Sequence, residues 1–153
     1  MSEASAEFEP FIGLLLCQAT NHWQRRLRGA LRQHALTQAQ FVLLEAAART
    51  TSEAVPATQV ALAKASRLDI TVVSQVARQL AARGLLARRR GPDERSRELA
   101  ITPAGTELVR QALPALRRLD GEFFALLGSN HDAFAQALAA LAGDRVRVRV
   151  RAR

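Results

Sequence analysis

Apolar residues recur at helical spacing from Phe8 to about Gln33, where Phe8, Phe11, Ile12, Leu15, Leu16, Ala19, Trp23, Leu27, Ala30 and Leu31 form one stripe. The pattern predicts a long first helix. Leu14 adds a third apolar direction in its first half, so the stripe there is wider than one packing partner requires. A subunit interface is the expectation for that excess. A second helix is predicted from Thr37, which has Gln40 three residues on at the spacing of a capping box, through Phe41, Leu44 and Ala48 to about Arg49. Its apolar positions read as core, and the polar run Thr50 to Pro56 reads as a loop.

From Val60 to Thr102 the pattern changes character. Thr58 is placed to cap a short helix from Gln59 to Ala65, Ser66 to Leu68 makes a turn, and Asp69 is placed to cap a further helix from Ile70 to Arg83. On that helix Val73, Val76, Ala77 and Leu80 form the buried stripe, which leaves Thr71, Ser74, Gln75 and Arg78 on the other face. Gly84 ends it in the left-handed cap position. Leu85 to Arg90, Gly91 and Pro92, then Arg97 to Ile101 predict a two-stranded hairpin with a charged tip, a wing spanning Ala87 to Ile101. Helix, turn, helix and basic hairpin in that order form a shape that enters a DNA groove while flanking arms hold the backbone.

After the hairpin, Thr102, Pro103 and Gly105 open a long helix with proline at its first position, where a missing amide hydrogen costs nothing. Leu108, Val109, Ala112, Leu116, Leu119, Phe123 and Leu126 or Leu127 carry its stripe. Pro114 predicts a kink or break near Gln111 to Leu113. Gly128 to Asn130 separates a last short helix on which Phe134, Leu138 and Leu141 are expected to face inward.

Length and charge sharpen this picture. The chain of 153 residues suffices for one domain with a real core and not for two ordinary ones. Its formal net charge is +8, but five of the arginines, Arg145, Arg147, Arg149, Arg151 and Arg153, lie in the tail. Within the body the excess is concentrated: Lys64, Arg67, Arg78, Arg83, Arg88, Arg89, Arg90, Arg95 and Arg97 crowd the helix-turn-helix and wing. Side chains that neutralise phosphates release condensed counterions, which supplies affinity and makes it salt-dependent. Cys17 is the only cysteine, so no internal disulfide forms. Glu3, Glu7 and Glu9 are unlike the basic start of a signal peptide, and Leu14 to Leu16 is far short of a membrane span. A cytoplasmic protein without membrane contact is expected. Enzymatic chemistry is not, because the chain offers no metal-ligand cluster, phosphate-cradling glycine loop or paired nucleophile and base, and His22, His34 and His131 are far apart in sequence. No cofactor is expected either.

Three spacings carry a family resemblance: Leu62 and Ala63 followed ten positions later by Val73 and Ser74; Arg83, Gly84 and Leu85; and Pro92, Asp93, Glu94 and Arg95, with nine positions from Asp93 to Thr102 and then Gly105. Over residues 8 to 143 the chain resembles the MarR-type winged helix-turn-helix transcription regulators. The resemblance implies a mainly α fold with a small β-wing, built as a single domain. Residues 37–102 would be the DNA-binding lobe and helices 8–33 and 103–143 the dimerisation elements. Residues 144–153 lie beyond that fold; their five like charges, alternating with valines and with no partner strand in evidence, read as a flexible basic tail adding non-specific DNA affinity or as a functionless end. Thr71, Ser74 and Gln75 would reach base edges and Arg78 a phosphate. Arg95 matches the arginine that enters the minor groove, Asp93 the acid that holds it, and Arg88, Arg89, Arg90 and Arg97 would serve phosphates. A homodimer would address half-sites about 10 base pairs apart, hence a near-palindromic operator on double-stranded DNA, usually for repression.

The resemblance also implies a small aromatic or anionic effector, for which Phe11, Cys17, His22 and Trp23 on the first helix are the candidate lining. A tryptophan on such a stripe reads more plainly as core, and His22 as simply solvated. Cys17 stands where peroxide-sensing members carry a reactive thiol, yet those members support it with tyrosine hydroxyls and this chain has no tyrosine. An ordinary interface cysteine is the plainer reading. The competing function is a winged-helix module that binds DNA without sequence choice, or binds protein instead.

Overall fold

The computed structural model describes residues 11–91 and 97–143, with the side chain of Arg90 excepted. Phe8, Asp93, Arg95 and the tail arginines lie outside the described residues. The chain divides into two compact units, residues 1–117 and 118–153.

In the first unit, α1 (Ile12–Arg32) begins at Phe11 without a side-chain cap and ends in a turn where Ala35 takes a left-handed φ of 51°. Helix α2 (Gln38–Thr50) starts with the expected capping box: Gln40 N donates to Thr37 Oγ1 at 3.2 Å, and Thr37 N donates to Gln40 Oε1 at 3.1 Å. Two strand residues, β1 (Ala57–Thr58), precede α3 (Gln59–Ser66), and Thr58 also caps that helix by accepting from Ala61 N. The turn to α4 (Ile70–Ala82) passes through Arg67 at φ 55°.

Helix α4 closes as the glycine predicts. Gly84 has φ 69°, and Leu85 N donates to Leu80 O across a six-residue loop, alongside the bond that carbonyl accepts from Arg83 N. The wing follows as β2 (Leu86–Arg90) and β3 (Arg97–Ile101), paired antiparallel with Leu86 opposite Ile101 and Arg90 opposite Arg97. The two-residue β1, absent from the sequence expectation, pairs with the other side of β3 to give the sheet order β1-β3-β2. Two residues are too few to show a period.

Leu31, Leu43, Leu44, Leu62, Val73, Leu80 and Leu99 are fully buried and centre one core shared by α1, α2, α3, α4 and the sheet. Each such side chain contributes about 1.5–3 kcal/mol on burial. Trp23 and Leu116 pack half-buried against it.

Helix α5 (Pro103–Phe124) runs on through Pro114, so of the predicted kink or break the break does not occur. The reason is position: Arg110, Gln111 and Pro114 are all exposed. A proline on the solvent side displaces a carbonyl that can tilt outward to water.

In the second unit, the end of α5 leads through a 3₁₀ segment (Ala125–Asn130) into α6 (His131–Leu141). Gly128 makes the reversal at φ 50° and ψ −124°, a conformation that a Cβ would forbid. Phe124 stacks edge-on against Phe123 at 5.0 Å and tilted against Phe134 at 5.9 Å between ring centroids. Leu138 is half-buried, as expected. Phe134 and Leu141 are not: they are 38% and 78% exposed, because the stripe fixes which side chains share a face and not whether another element covers it.

Candidate nucleic-acid interface

Asp69 sets the start of α4. Its Oδ1 accepts from Thr71 N at 2.7 Å, and that backbone hydrogen bond holds the carboxyl below its ordinary pKa. The charged form thus sits at the positive end of the helix dipole. Val73, Val76, Ala77 and Leu80 are buried on one side. Opposite them, Thr71, Gln75 and Arg78 are exposed and Ser74 is half-buried, with Arg78 Nε donating to Ser74 O at 3.3 Å. The side chains named from sequence for this helix therefore share one outward face.

Two neighbours on that face were not anticipated. Ile70 is 44% and Val72 36% exposed, so the polar surface of α4 is flanked by β-branched apolar groups of the type that packs against thymine methyls. Their signal was present in the sequence as apolar residues off the buried stripe.

The wing belongs to the same unit. Arg88 stands opposite Leu99 and Arg89 opposite Glu98, and Arg88, Arg89 and Arg97 are exposed. Arg89 and Glu98 form an opposite-charge cross-strand position, while Arg90 and Arg97 place like charges across from one another. The tip residues Asp93 and Arg95 lie outside the described residues, so the wing is seen here from its base to Gly91.

The base is fixed by two threonines. Thr51 Oγ1 accepts from Ile101 N at 3.0 Å and donates to Ala47 O at 2.9 Å, joining the end of α2 to β3. Thr102 Oγ1 donates to Gly84 O at 2.7 Å and accepts from Gly105 N at 3.1 Å, joining the end of α4 to the start of α5. Wing and helix-turn-helix are thereby held through direct hydrogen bonds and not through packing alone.

The four residues named for an effector are strung along α1. Phe11 is 72% exposed, Cys17 and His22 are exposed, and Trp23 is half-buried with its indole N–H unpartnered. Twelve residues of helix span about 18 Å, so one chain does not gather them into a crevice. The described cavities lie elsewhere: an open cleft of about 630 Å³ bordered by Ala48, Glu53, Ile101, Pro103 and Glu107, and a hollow of about 270 Å³ formed by Phe124, His131, Phe134 and Leu138. Among the described residues no group of His, Cys, Asp and Glu is arranged to hold a metal ion, and no helix is long and apolar enough to cross a membrane.

Comparison with known proteins agrees with this geometry. Residues 36–96, which include α2, α3, α4 and the described part of β2, match the MarR family. The chain is 40% identical over 114 residues to YdcH, an uncharacterized HTH-type transcriptional regulator of Bacillus subtilis, covering 74% of this chain and 78% of that one. Among solved structures it resembles Bordetella bronchiseptica BpsR, whose DNA binding is regulated by 6-hydroxynicotinic acid, with 28% identity, a TM-score of 0.74 and coverage of 87% and 98% of the two chains. It also resembles the transcriptional repressor CouR of Rhodococcus jostii RHA1 bound to a 23-mer DNA duplex, with 26% identity, a TM-score of 0.77 and coverage of 86% and 92%. The capped helix α4, the arginine-bearing hairpin beside it and these relatives together establish that the chain belongs to the MarR family of DNA-binding transcription regulators, which are not enzymes.

Proposed function

We propose that the protein is a homodimeric, cytoplasmic repressor that binds a near-palindromic operator and releases it when a small aromatic or anionic molecule binds. The observation that carries the DNA reading is the outward face of α4, with Thr71, Ser74 and Gln75 ahead of Arg78 and the buried stripe directly behind. In this reading the short hydroxyls and the amide meet base edges in the major groove, and Arg78 meets a phosphate. Arg88, Arg89, Arg90 and Arg97 hold the backbone on either side, and Arg95, supported by Asp93, enters the minor groove.

Dimer formation is supported by the surface of α1. Phe11, Ile12, Leu14, Leu15 and Leu16 are between 40% and 85% exposed in the single chain, an apolar run of the kind that marks an interface. Leu126 and Leu141 add exposed apolar positions in the second unit. Two copies related by a two-fold axis place two α4 helices in successive major grooves about 10 base pairs apart. An effector of the aromatic-acid class is favoured by the likeness to BpsR. Phe11, Cys17, His22 and Trp23 are proposed to line its site once a second copy closes over α1.

The deciding experiment compares a palindromic operator with a scrambled duplex of equal length at one fixed salt concentration. A regulator prefers its operator by ~10³-fold or more. Equal affinity for the two duplexes assigns the protein instead to sequence-independent binding.

A further inference from the structure

Among the described residues Gln40 is the buried polar side chain of the core, and it does more than cap α2. Its Nε2 donates to Gln79 Oε1 at 3.0 Å, across 39 residues of sequence. Arg83 Nη1 donates to Ala35 O at 2.9 Å and lies 3.5 Å from Gln40 Oε1. A capping box needs only the oxygen of Gln40; the second bond reaches onto α4.

The polarity of this chain of amides is determined. The backbone N–H of Thr37 can only donate, so the Gln40 atom facing it is the oxygen, and Arg83, also a pure donor, faces the same atom. The amide nitrogen of Gln40 must then point to Gln79. Gln79 answers with its oxygen, and its own NH₂ is left over. Gln79 is exposed, and among the described residues nothing accepts from that NH₂. It lies one helical turn beyond Gln75, at the edge of the outward face of α4.

We infer that Gln79 donates its free NH₂ to a phosphate oxygen of the bound duplex, and that Gln40, which cannot reach DNA, is the positioning residue that presets this donor. A free glutamine presents its oxygen or its nitrogen with equal ease, and an oxygen turned toward phosphate repels. Fixing the amide removes the wrong orientation before binding. The inference rests on the reading of α4 as the DNA-facing helix.

The test is a cycle of variants on one operator and one scrambled duplex, with thermal unfolding measured alongside. Gln79→Ala weakens both duplexes by about tenfold or somewhat more, the lower part of the range for a hydrogen bond to a charged acceptor. Its slope of log affinity against log salt is unchanged, since an amide displaces no counterion. In Gln40→Glu the carboxylate still accepts from Thr37 N and gains Arg83 as an ionic partner, so the midpoint of unfolding holds or rises. The new side chain has no donor, so Gln79 turns its NH₂ inward and its oxygen outward. DNA binding then falls by at least as much as in Gln79→Ala, and the double variant binds no more weakly than Gln40→Glu alone, at the level of Gln79→Ala. A merely structural role for Gln40 predicts parallel loss of stability and binding, and that result overturns the inference. So does unchanged affinity in Gln79→Ala, a loss confined to the operator, or additive losses in the double variant. Gln75→Ala separates the two levels: if it leaves the operator affinity intact, the DNA-facing role of α4 fails, whereas a loss there with none at Gln79 sinks only the present inference.

Discussion

Gly105, in the first turn of α5, lies directly against the carbonyl oxygen of Leu85 at the foot of the wing. A Cβ at this position would fall inside the van der Waals envelope of that oxygen and would press on Ile101 Cγ1 as well. Backbone cannot swing aside as a flexible side chain can, so Gly105→Ala is expected to destabilise the fold by about 1–3 kcal/mol. For a chain of this size each such kcal/mol lowers the midpoint by roughly 2–4 °C. Thermal unfolding followed by circular dichroism measures it, and an unchanged midpoint would show that α5 can separate from Leu85 at no cost.

Thr51→Val tests the other fastening of the wing. Valine keeps the shape but removes the acceptor of Ile101 N, which leaves a backbone donor at the core edge without its partner. The expected loss is about 1–3 kcal/mol. Faster hydrogen exchange at Ile101 than at its neighbour Leu99 is the specific readout.

The pH dependence follows from two exposed carboxylates. Glu107 is held down to about 2 from 4.5, chiefly by hydrogen bonds from Arg110 and then Gln111, and Asp69 is lowered by the Thr71 amide. A folded-state value below the unfolded one stabilises the fold above the unfolded value and stops doing so as pH falls through the folded one. For Glu107 the window is therefore pH 4.5 down to about 2. Glu107→Gln should be less stable than the parent at pH 7, with the difference closing across that window. A constant difference from pH 7 to 2 would remove the carboxylate from the account.

Leu15→Glu places a charge within the exposed apolar run of α1. If that run is the dimer seam, sedimentation gives a monomer at concentrations where the parent is a dimer, and operator affinity falls with it. A dimeric Leu15→Glu variant with parental DNA binding would move the interface elsewhere.

Arg88→Ala and Arg89→Ala, combined, should flatten the dependence of log affinity on log salt by roughly 0.9 for each phosphate that is no longer neutralised. Operator and scrambled duplex should weaken alike. A slope equal to that of the parent means that neither arginine meets phosphate.

Most of the fold was legible because its signals are local. The capping box at Thr37, the Asp69 cap, the Gly84 stop and the buried stripe of α4 each depend on residues within a turn or two, and each stands where the spacing puts it. What escaped depends on distance or on solvent. Nothing near Gln40 announces that its amide meets Gln79, because that contact exists only after α2 and α4 pack. The two-residue β1 is too short for periodicity, and the continuity of α5 through Pro114 follows from exposure on that side of the helix, which spacing alone leaves open. The outward face of α4 was readable by subtraction, as whatever the stripe did not claim. The role of α1 was readable only as an excess of apolar surface.

Among the described residues the sheet order leaves β2 with one side unpaired, a row of free N–H and C=O groups running along Leu86 to Arg90. Such an edge invites a strand from another molecule to add on, and charge is a common deterrent. Arg88 and Arg89 therefore guard that edge against aggregation, beside the phosphate contacts proposed for them. Stripping the wing of its arginines in favour of threonine or valine would do more than weaken the hold on DNA, since it would leave a bare edge on which the protein templates its own precipitation.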